Sequence, residues 1–228
     1  MPLFEPCGFG DREYAFTSVP ILRRGRVYVP VVTHPQTERE VHAVCLDAAT
    51  GRPVWATLVA IGQPNATTLF ATMSADPRGV YVASNVGAVV ALDPVTGTPR
   101  WASTYPSFAL NQRPRHGSAP ALFGGRLYVF AHDTTDLLAF DAETGARLPV
   151  VWTNRTDLPK PAWSKMRVMT EVAPGLLVTA GEELWLLELA RMKLHTLPKG
   201  EKWQGPSLAT PKLTEDGLDL RPSVLELF

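Results

Sequence analysis

The sequence predicts an all-β chain: a β-propeller of four-stranded antiparallel blades, forming a partial ring of about four to five blades. Three observations carry this expectation. One pattern, Asp-x-x-Thr-Gly, recurs at 47–51, 93–97 and 141–145, so its aspartates stand 46 and then 48 residues apart. Each copy follows a β-branched and aromatic run: Val27-Tyr28-Val29, Val80-Tyr81-Val82 and Leu127-Tyr128-Val129. Each is followed by a tryptophan: Trp55, Trp101 and Trp152. Several short strands per period of 40–50 residues mark a propeller blade.

Taken in order, residues 1–17 form a lead-in strand or the remnant of a preceding blade, with Phe9–Phe16 as a candidate outer strand of a neighbouring blade. The first blade spans 18–60. Pro20-Ile21-Leu22 supplies its first strand and Val27-Tyr28-Val29 its second. The third ends at Asp47, and the fourth carries Trp55. The Asp side chain accepts hydrogen bonds from N–H groups just after it, an Asx-type turn. Gly51 fits the positive-φ position that closes such a turn. The second blade, 71–103, repeats this with Asp93, Thr96, Gly97 and Trp101. The third, 118–152, has Asp141, Thr144, Gly145 and Trp152. Its Asp-to-Trp distance is longer, which places an insertion near Leu148–Val151. A degenerate fourth copy occupies 171–196, without the Asp or the Thr-Gly. A weak fifth occupies 206–228. An indole is large, and its burial is worth about 3 kcal/mol. The residue two before each aspartate is small (Cys45, Ala91, Ala139), so each tryptophan is expected to dock on that residue of an adjacent blade.

The motif Ala91-Leu92-Asp93-Pro94-Val95-Thr96-Gly97-Thr98-Pro99-Arg100-Trp101 resembles, at every fixed position, the tryptophan-docking pattern of the PQQ-like (quinoprotein-type) repeat family. The first copy departs in Cys45 and the third in its tryptophan spacing. The resemblance covers roughly residues 18 to 190, and it implies a propeller of bacterial envelope type. Some family members are quinoprotein dehydrogenases holding pyrroloquinoline quinone and Ca²⁺. Others are non-catalytic, similar to the lipoprotein of the outer-membrane β-barrel assembly machine. Such propellers have seven or eight blades, more than this chain supplies. An incomplete ring leaves sheet faces uncovered. A longer propeller, self-association, or a small closed ring are the three ways to deal with that.

Composition narrows the function. Lys plus Arg and Asp plus Glu are both 22, so no basic excess points to nucleic acid. No apolar run approaches a membrane span. The N-terminal residues lack the basic and apolar regions of a secretory signal. The expectation is therefore a cytoplasmic chain or part of a longer exported one, with periplasm or envelope implied by the resemblance. Cys7 and Cys45 form no metal or redox motif and are expected to be unpaired. The aspartates are expected to cap turns rather than bind metal. No adjacent Cys-Cys pair or ligand-rich stretch supports quinone catalysis. His34, His42, His116, His132 and His195 lack metal-ligand spacing, and solvated or loop positions are expected. Ser118 and Ser164 lack a nucleophile setting. Asn65 and Asn154 head chance sequons. Two loops are candidate binding elements: 105–116, with Arg113, Arg115 and His116, and 153–167, with Trp163 and Lys165. The sequence thus implies no catalytic residue, no cofactor and no metal. It points to a non-enzymatic protein-binding or scaffolding module with a protein partner or a second copy of itself. The alternative is a fragment of a quinone-dependent dehydrogenase.

Overall fold

A computed structural model describes residues 13–34, 39–62, 69–105, 118–131, 136–149, 168–180, 184–191, 193–197, 212–214 and 217–219. All regular structure among them is β. The first sheet contains β1 (Glu13–Phe16), β2 (Ile21–Arg23), β3 (Arg26–His34), β4 (Arg39–Asp47) and β5 (Pro53–Gly62). The second contains β6 (Ala71–Ala75), β7 (Val80–Ser84), β8 (Ala88–Leu92) and β9 (Pro99–Thr104). The third contains β10 (Ala121–Phe123), β11 (Arg126–Phe130) and β12 (Leu137–Asp141). The fourth contains β13 (Val168–Ala173), β14 (Leu176–Ala180), β15 (Leu184–Glu188) and β16 (Lys193–Leu197). Within the weak fifth unit, the described residues form a short hairpin, β17 (Lys212–Thr214) and β18 (Gly217–Asp219). Every pairing is antiparallel between sequence neighbours, apart from one feature of the first sheet.

That feature is the lead-in. Both β1 and β2 pair with β3, β1 along Val31–His34 and β2 along Arg26–Tyr28. Glu13–Phe16 therefore extends the first blade's own sheet, not the outer edge of a neighbour. The chain steps between the two segments at Thr17, whose hydroxyl donates to the Ala71 carbonyl of the second sheet at 2.7 Å.

Neighbouring sheets pack face to face, and the alternation of side chains along each strand decides what meets what. Tyr28, Val32, Ala43, Cys45 and Trp55 of the first sheet bury against Met73, Val80, Val82, Val90 and Leu92 of the second. The other face of the second sheet, with Tyr81, Ala83, Ala91 and Trp101, buries against Leu127, Val129, Leu138 and Phe140 of the third. Strand β7 is buried throughout because both its faces are covered. Tyr128, Phe130 and Ala139 of the third sheet pack on Leu177, Leu187 and Leu189 of the fourth. The degenerate fourth copy forms a complete four-stranded sheet because its apolar strands survive although its turn motif is lost.

The third sheet keeps the register of the first two up to its last described residues. Leu46 pairs with Pro53, Leu92 with Pro99 and Phe140 with Arg147. The indoles of Trp55 and Trp101 lie two residues beyond those partners. The corresponding residue in the third copy is Pro149, which is exposed. Trp152 lies outside the described residues.

Candidate binding face at the blade turns

Three copies of one turn build one end of the stack. In each, the aspartate's Oδ1 accepts from the main chain and from the threonine hydroxyl. Asp47 takes the Thr50 N–H at 2.9 Å and its hydroxyl at 2.8 Å. Asp93 takes the N–H groups of Val95 and Thr96 at 2.9 and 2.8 Å, and the Thr96 hydroxyl at 3.1 Å. Asp141 takes those of Glu143 and Thr144 at 3.0 and 2.8 Å, and the Thr144 hydroxyl at 2.9 Å. Donors aimed at a carboxylate favour its charged form. Asp47 is held below the ordinary carboxylate value first by the Thr50 hydroxyl, and Asp93 and Asp141 first by the Thr96 and Thr144 N–H groups. Gly51, Gly97 and Gly145 close the turns at φ of 69, 74 and 73°.

The tryptophans dock on these turns, and here the small-residue expectation is corrected. Cys45 and Ala91 sit beside the tryptophan of their own sheet, as the pairings Cys45–Trp55 and Ala91–Trp101 show. Each small side chain lies between a tyrosine and a tryptophan on the flanking strands. Cross-strand neighbours lie about 5 Å apart, so the rings close over it, with centroids 5.9 Å apart for Tyr28–Trp55 and 6.4 Å for Tyr81–Trp101. The contact between blades is made on glycine. A Cβ on Gly97 would lie 2.5 Å from Trp55 Cδ2, and one on Gly145 would lie 2.5 Å from Trp101 Cε3. The indole N–H groups donate to the carbonyls of Pro94 (3.3 Å) and Ala142 (3.0 Å). A hydroxyl two residues after each tryptophan completes the grip: Thr57 donates to the Gly97 carbonyl at 2.7 Å, and Ser103 to that of Gly145. The junction of the third and fourth sheets uses another ring, Phe123, stacked on Gly175.

Between adjacent turns the surface dips into two equivalent clefts. The first, about 190 Å³, is rimmed by Arg23, Arg24 and Arg26, with Tyr28 in its wall. The second, about 440 Å³, is rimmed by Arg78 and Arg100, with Tyr81 in its wall and Asp141 and Glu143 opposite. Arg24 has a φ of 47°, the one positive value at a non-glycine among the described residues. Several of the arginines are engaged: Arg26 with Asp47 at 3.7 Å, Arg78 with Asp76 at 3.0 Å, and Arg23 with the Ala75 carbonyl at 3.3 Å. Sequence reasoning missed these clefts. They join residues from two repeats, and the one available signal was the Arg23-Arg24-Gly25-Arg26 cluster on a hairpin.

The candidate binding loops, with Arg113, Arg115, His116, Trp163 and Lys165, lie outside the described residues. So do Cys7, His132 and Ser164. His42 is not a loop residue: it is nearly buried in β4, and its Nε2 meets Glu40 Oε2 at 2.9 Å. Ser118 is also buried, and its carbonyl accepts the Thr72 hydroxyl at 2.7 Å, tying the second sheet to the third. Cys45 is a buried free thiol whose pKa burial pushes up to about 11. Among the described residues no three His, Cys, Asp or Glu side chains converge on a point that would hold a metal ion. No described helix is long and apolar enough to cross a membrane. The repeat carboxylates are engaged in their own turns. The described residues therefore do not fit a Ca²⁺-held quinone.

A family model described as outer membrane protein assembly factor BamB matches residues 37–220. The chain belongs to this family of PQQ-like repeat propellers. Among solved structures, BamB from Moraxella catarrhalis is 18% identical with a TM-score of 0.52, over 79% of this chain and 52% of that one. U3-55K is 10% identical with a TM-score of 0.54, over 81% and 52%. A europium-containing methanol dehydrogenase is 12% identical with a TM-score of 0.50, over 81% and 42%. At these identities the likeness is one of fold. The PQQ-like repeat chain thus spans about half the length of the structures it matches. No curated protein matches it.

Proposed function

We propose that this PQQ-like repeat chain is a non-enzymatic module that binds a protein through its turn-bearing face, in the setting of a bacterial envelope. The observation that carries the reading is the use made of the repeat's carboxylates. Asp47, Asp93 and Asp141 each accept two or more donors from their own turn, which makes them structural acceptors rather than bases or metal ligands. What the same face offers to a partner is arginine beside tyrosine in clefts held on rigid sheets, a composition favoured at protein interfaces. Fold does not fix function, and membership of the BamB-described family supports a scaffolding role as an analogy.

The test has two arms. Titration of the chain with pyrroloquinoline quinone and Ca²⁺ is expected to leave the quinone absorption spectrum unchanged. Saturable binding with substrate-dependent dye reduction would overturn the reading in favour of a dehydrogenase. In the second arm, the chain carrying a photocrosslinker at Val95, exposed on this face, is expected to crosslink one discrete envelope protein. Replacing Arg24 and Arg100 by Glu should abolish that product. A crosslink unaffected by these changes would place the partner on another surface.

A further inference from the structure

The two clefts between the blade turns are built alike and charged differently. The second sets two arginines, Arg78 and Arg100, against two acids, Asp141 and Glu143. The first holds three arginines, Arg23, Arg24 and Arg26, and one acid among its lining residues, Asp76. That carboxylate is already engaged. Its Oδ2 meets Arg78 Nε at 3.0 Å, and its Oδ1 accepts the N–H groups of Arg78 and Gly79 at 2.8 and 2.9 Å. Counted from each turn's aspartate, the position that gives Glu143 to the second cleft gives Val95 to the first.

Arg26 has a countercharge, Asp47 at 3.7 Å; among the described residues the other two have none. Arg23 donates through Nη1 to a neutral carbonyl, that of Ala75, at 3.3 Å. This leaves the edge of its fork formed by Nε and Nη2, and Nε is buried without an acceptor among the described residues. A buried donor left unsatisfied is costly, and such an edge binds an oxyanion through two parallel bonds. Arg24 is exposed. Its hairpin, closed by the pair Arg23–Arg26, has φ of 47° at Arg24 and 70° at Gly25. The counterpart in the third sheet, closed by Phe123–Arg126, has 58° and 74° at Gly124 and Gly125. Glycine takes the first of these positions without strain and arginine does not, and a side chain kept there against the backbone's preference points to a use for it. The Pro94 carbonyl beside the cleft already accepts the Tyr28 hydroxyl at 3.1 Å and the Trp55 indole N–H at 3.3 Å, which blunts its repulsion of an anion.

We infer that the first cleft is a binding site for a phosphate dianion, free or esterified, with Arg23 as its two-point fork and Arg24 as the second cation. Two guanidinium groups without a countercharge match the charge of one dianion, and a cleft of about 190 Å³ suits a group of that size. The second cleft is the built-in comparison, because Glu143 stands where it opposes an anion's approach. Arg24 is open to water and salt, so the affinity is modest and falls with ionic strength. The inference goes beyond the protein-binding reading and does not rest on it: a failed phosphate titration leaves the crosslink expected at Val95 untouched.

The test titrates the whole ¹⁵N-labelled chain with sodium phosphate at pH 7 and constant ionic strength, reading the arginine Nε–Hε signals. The Arg23 signal is expected to move downfield saturably, with a dissociation constant on the order of 1 mM, while those of Arg78 and Arg100 stay in place. Arg24→Gly, which installs the residue of the third sheet's hairpin, should keep the fold and weaken binding roughly tenfold, the loss of one charge-assisted contact. Val95 is 72% exposed, so Val95→Glu, which gives the first cleft the acid of the second, should abolish the response with the urea midpoint unchanged. A parallel titration with glycerol 3-phosphate separates the sources. A matching Arg23 shift shows that the site takes an ester such as a lipid headgroup, and a response to inorganic phosphate alone shows that it takes the free ion; either supports the inference. An unmoved Arg23 signal at several-fold higher phosphate concentration overturns it. So do equal shifts at Arg78 and Arg100, or a response unchanged by Val95→Glu, each of which marks a diffuse ion atmosphere instead of a site.

Discussion

Gly97→Ala puts a methyl group where the structure has an indole. The added Cβ would lie 2.5–2.8 Å from three ring atoms of Trp55, well inside van der Waals contact, and the backbone at φ 74° also disfavours any side chain. The backbone contribution is about 1 kcal/mol. Displacing the indole removes a large part of its burial, about 2–3 kcal/mol, and loosens the bond to Pro94, worth about 1 kcal/mol. The sum is about 4–5 kcal/mol. Gly51→Ala meets the same backbone cost at φ 69° but has open space in place of the ring, so about 1 kcal/mol is expected. With a urea slope of about 2 kcal/mol/M, the unfolding midpoint should fall by roughly 2 M for Gly97→Ala and by roughly 0.5 M for Gly51→Ala. Tryptophan fluorescence and circular dichroism in urea give both midpoints, and a red shift of native-state emission should accompany only the first variant. Equal midpoint losses for the two variants would refute the claim that glycine is required there by the ring rather than by the turn.

Further outcomes follow from the same geometry. Trp101→Phe removes the N–H that reaches Ala142 at 3.0 Å together with part of the buried ring, and should cost about 1–2 kcal/mol in urea unfolding. Asp47, Asp93 and Asp141 have pKa values lowered from 3.8. Their contribution to stability is present above about pH 4 and is lost as pH falls through the lower folded values. Urea midpoints should therefore drop between pH 4 and 2, and less so when Asp93 is replaced by Asn. Cys45 is fully buried with its pKa raised to about 11, so it should resist iodoacetamide at pH 8 in a Cys7→Ser background and react once unfolded. Rapid labelling in the native state would contradict that burial.

Much of this fold was legible in the sequence because blades repeat. Asp47, Asp93 and Asp141 fix a turn, and a turn fixes the register of the strands on either side. What stayed hidden depends on contacts between repeats. A small residue at 45 or 91 signals crowding without saying which neighbour crowds it, and here the neighbours are the tyrosine and tryptophan of the same sheet. The glycines under the indoles were assigned to turn geometry alone, because positive φ already explained them and a second constraint leaves no separate mark. The lead-in was ambiguous because Glu13–Phe16 pairs with the far half of β3, which no local pattern specifies. The arginine clefts were unreadable for a similar reason: each is assembled across a junction.

The docking contact also has a direction. Trp55 reaches forward to the second turn, Trp101 forward to the third, and Phe123 forward to Gly175; each blade lends a ring to its successor. Damage to one turn should therefore register first in the optical signal of the unit before it, so a lesion at Gly145 is reported by Trp101 and one at Gly97 by Trp55. The chain carries its own set of addressed fluorescent reporters, one for each of the first two seams.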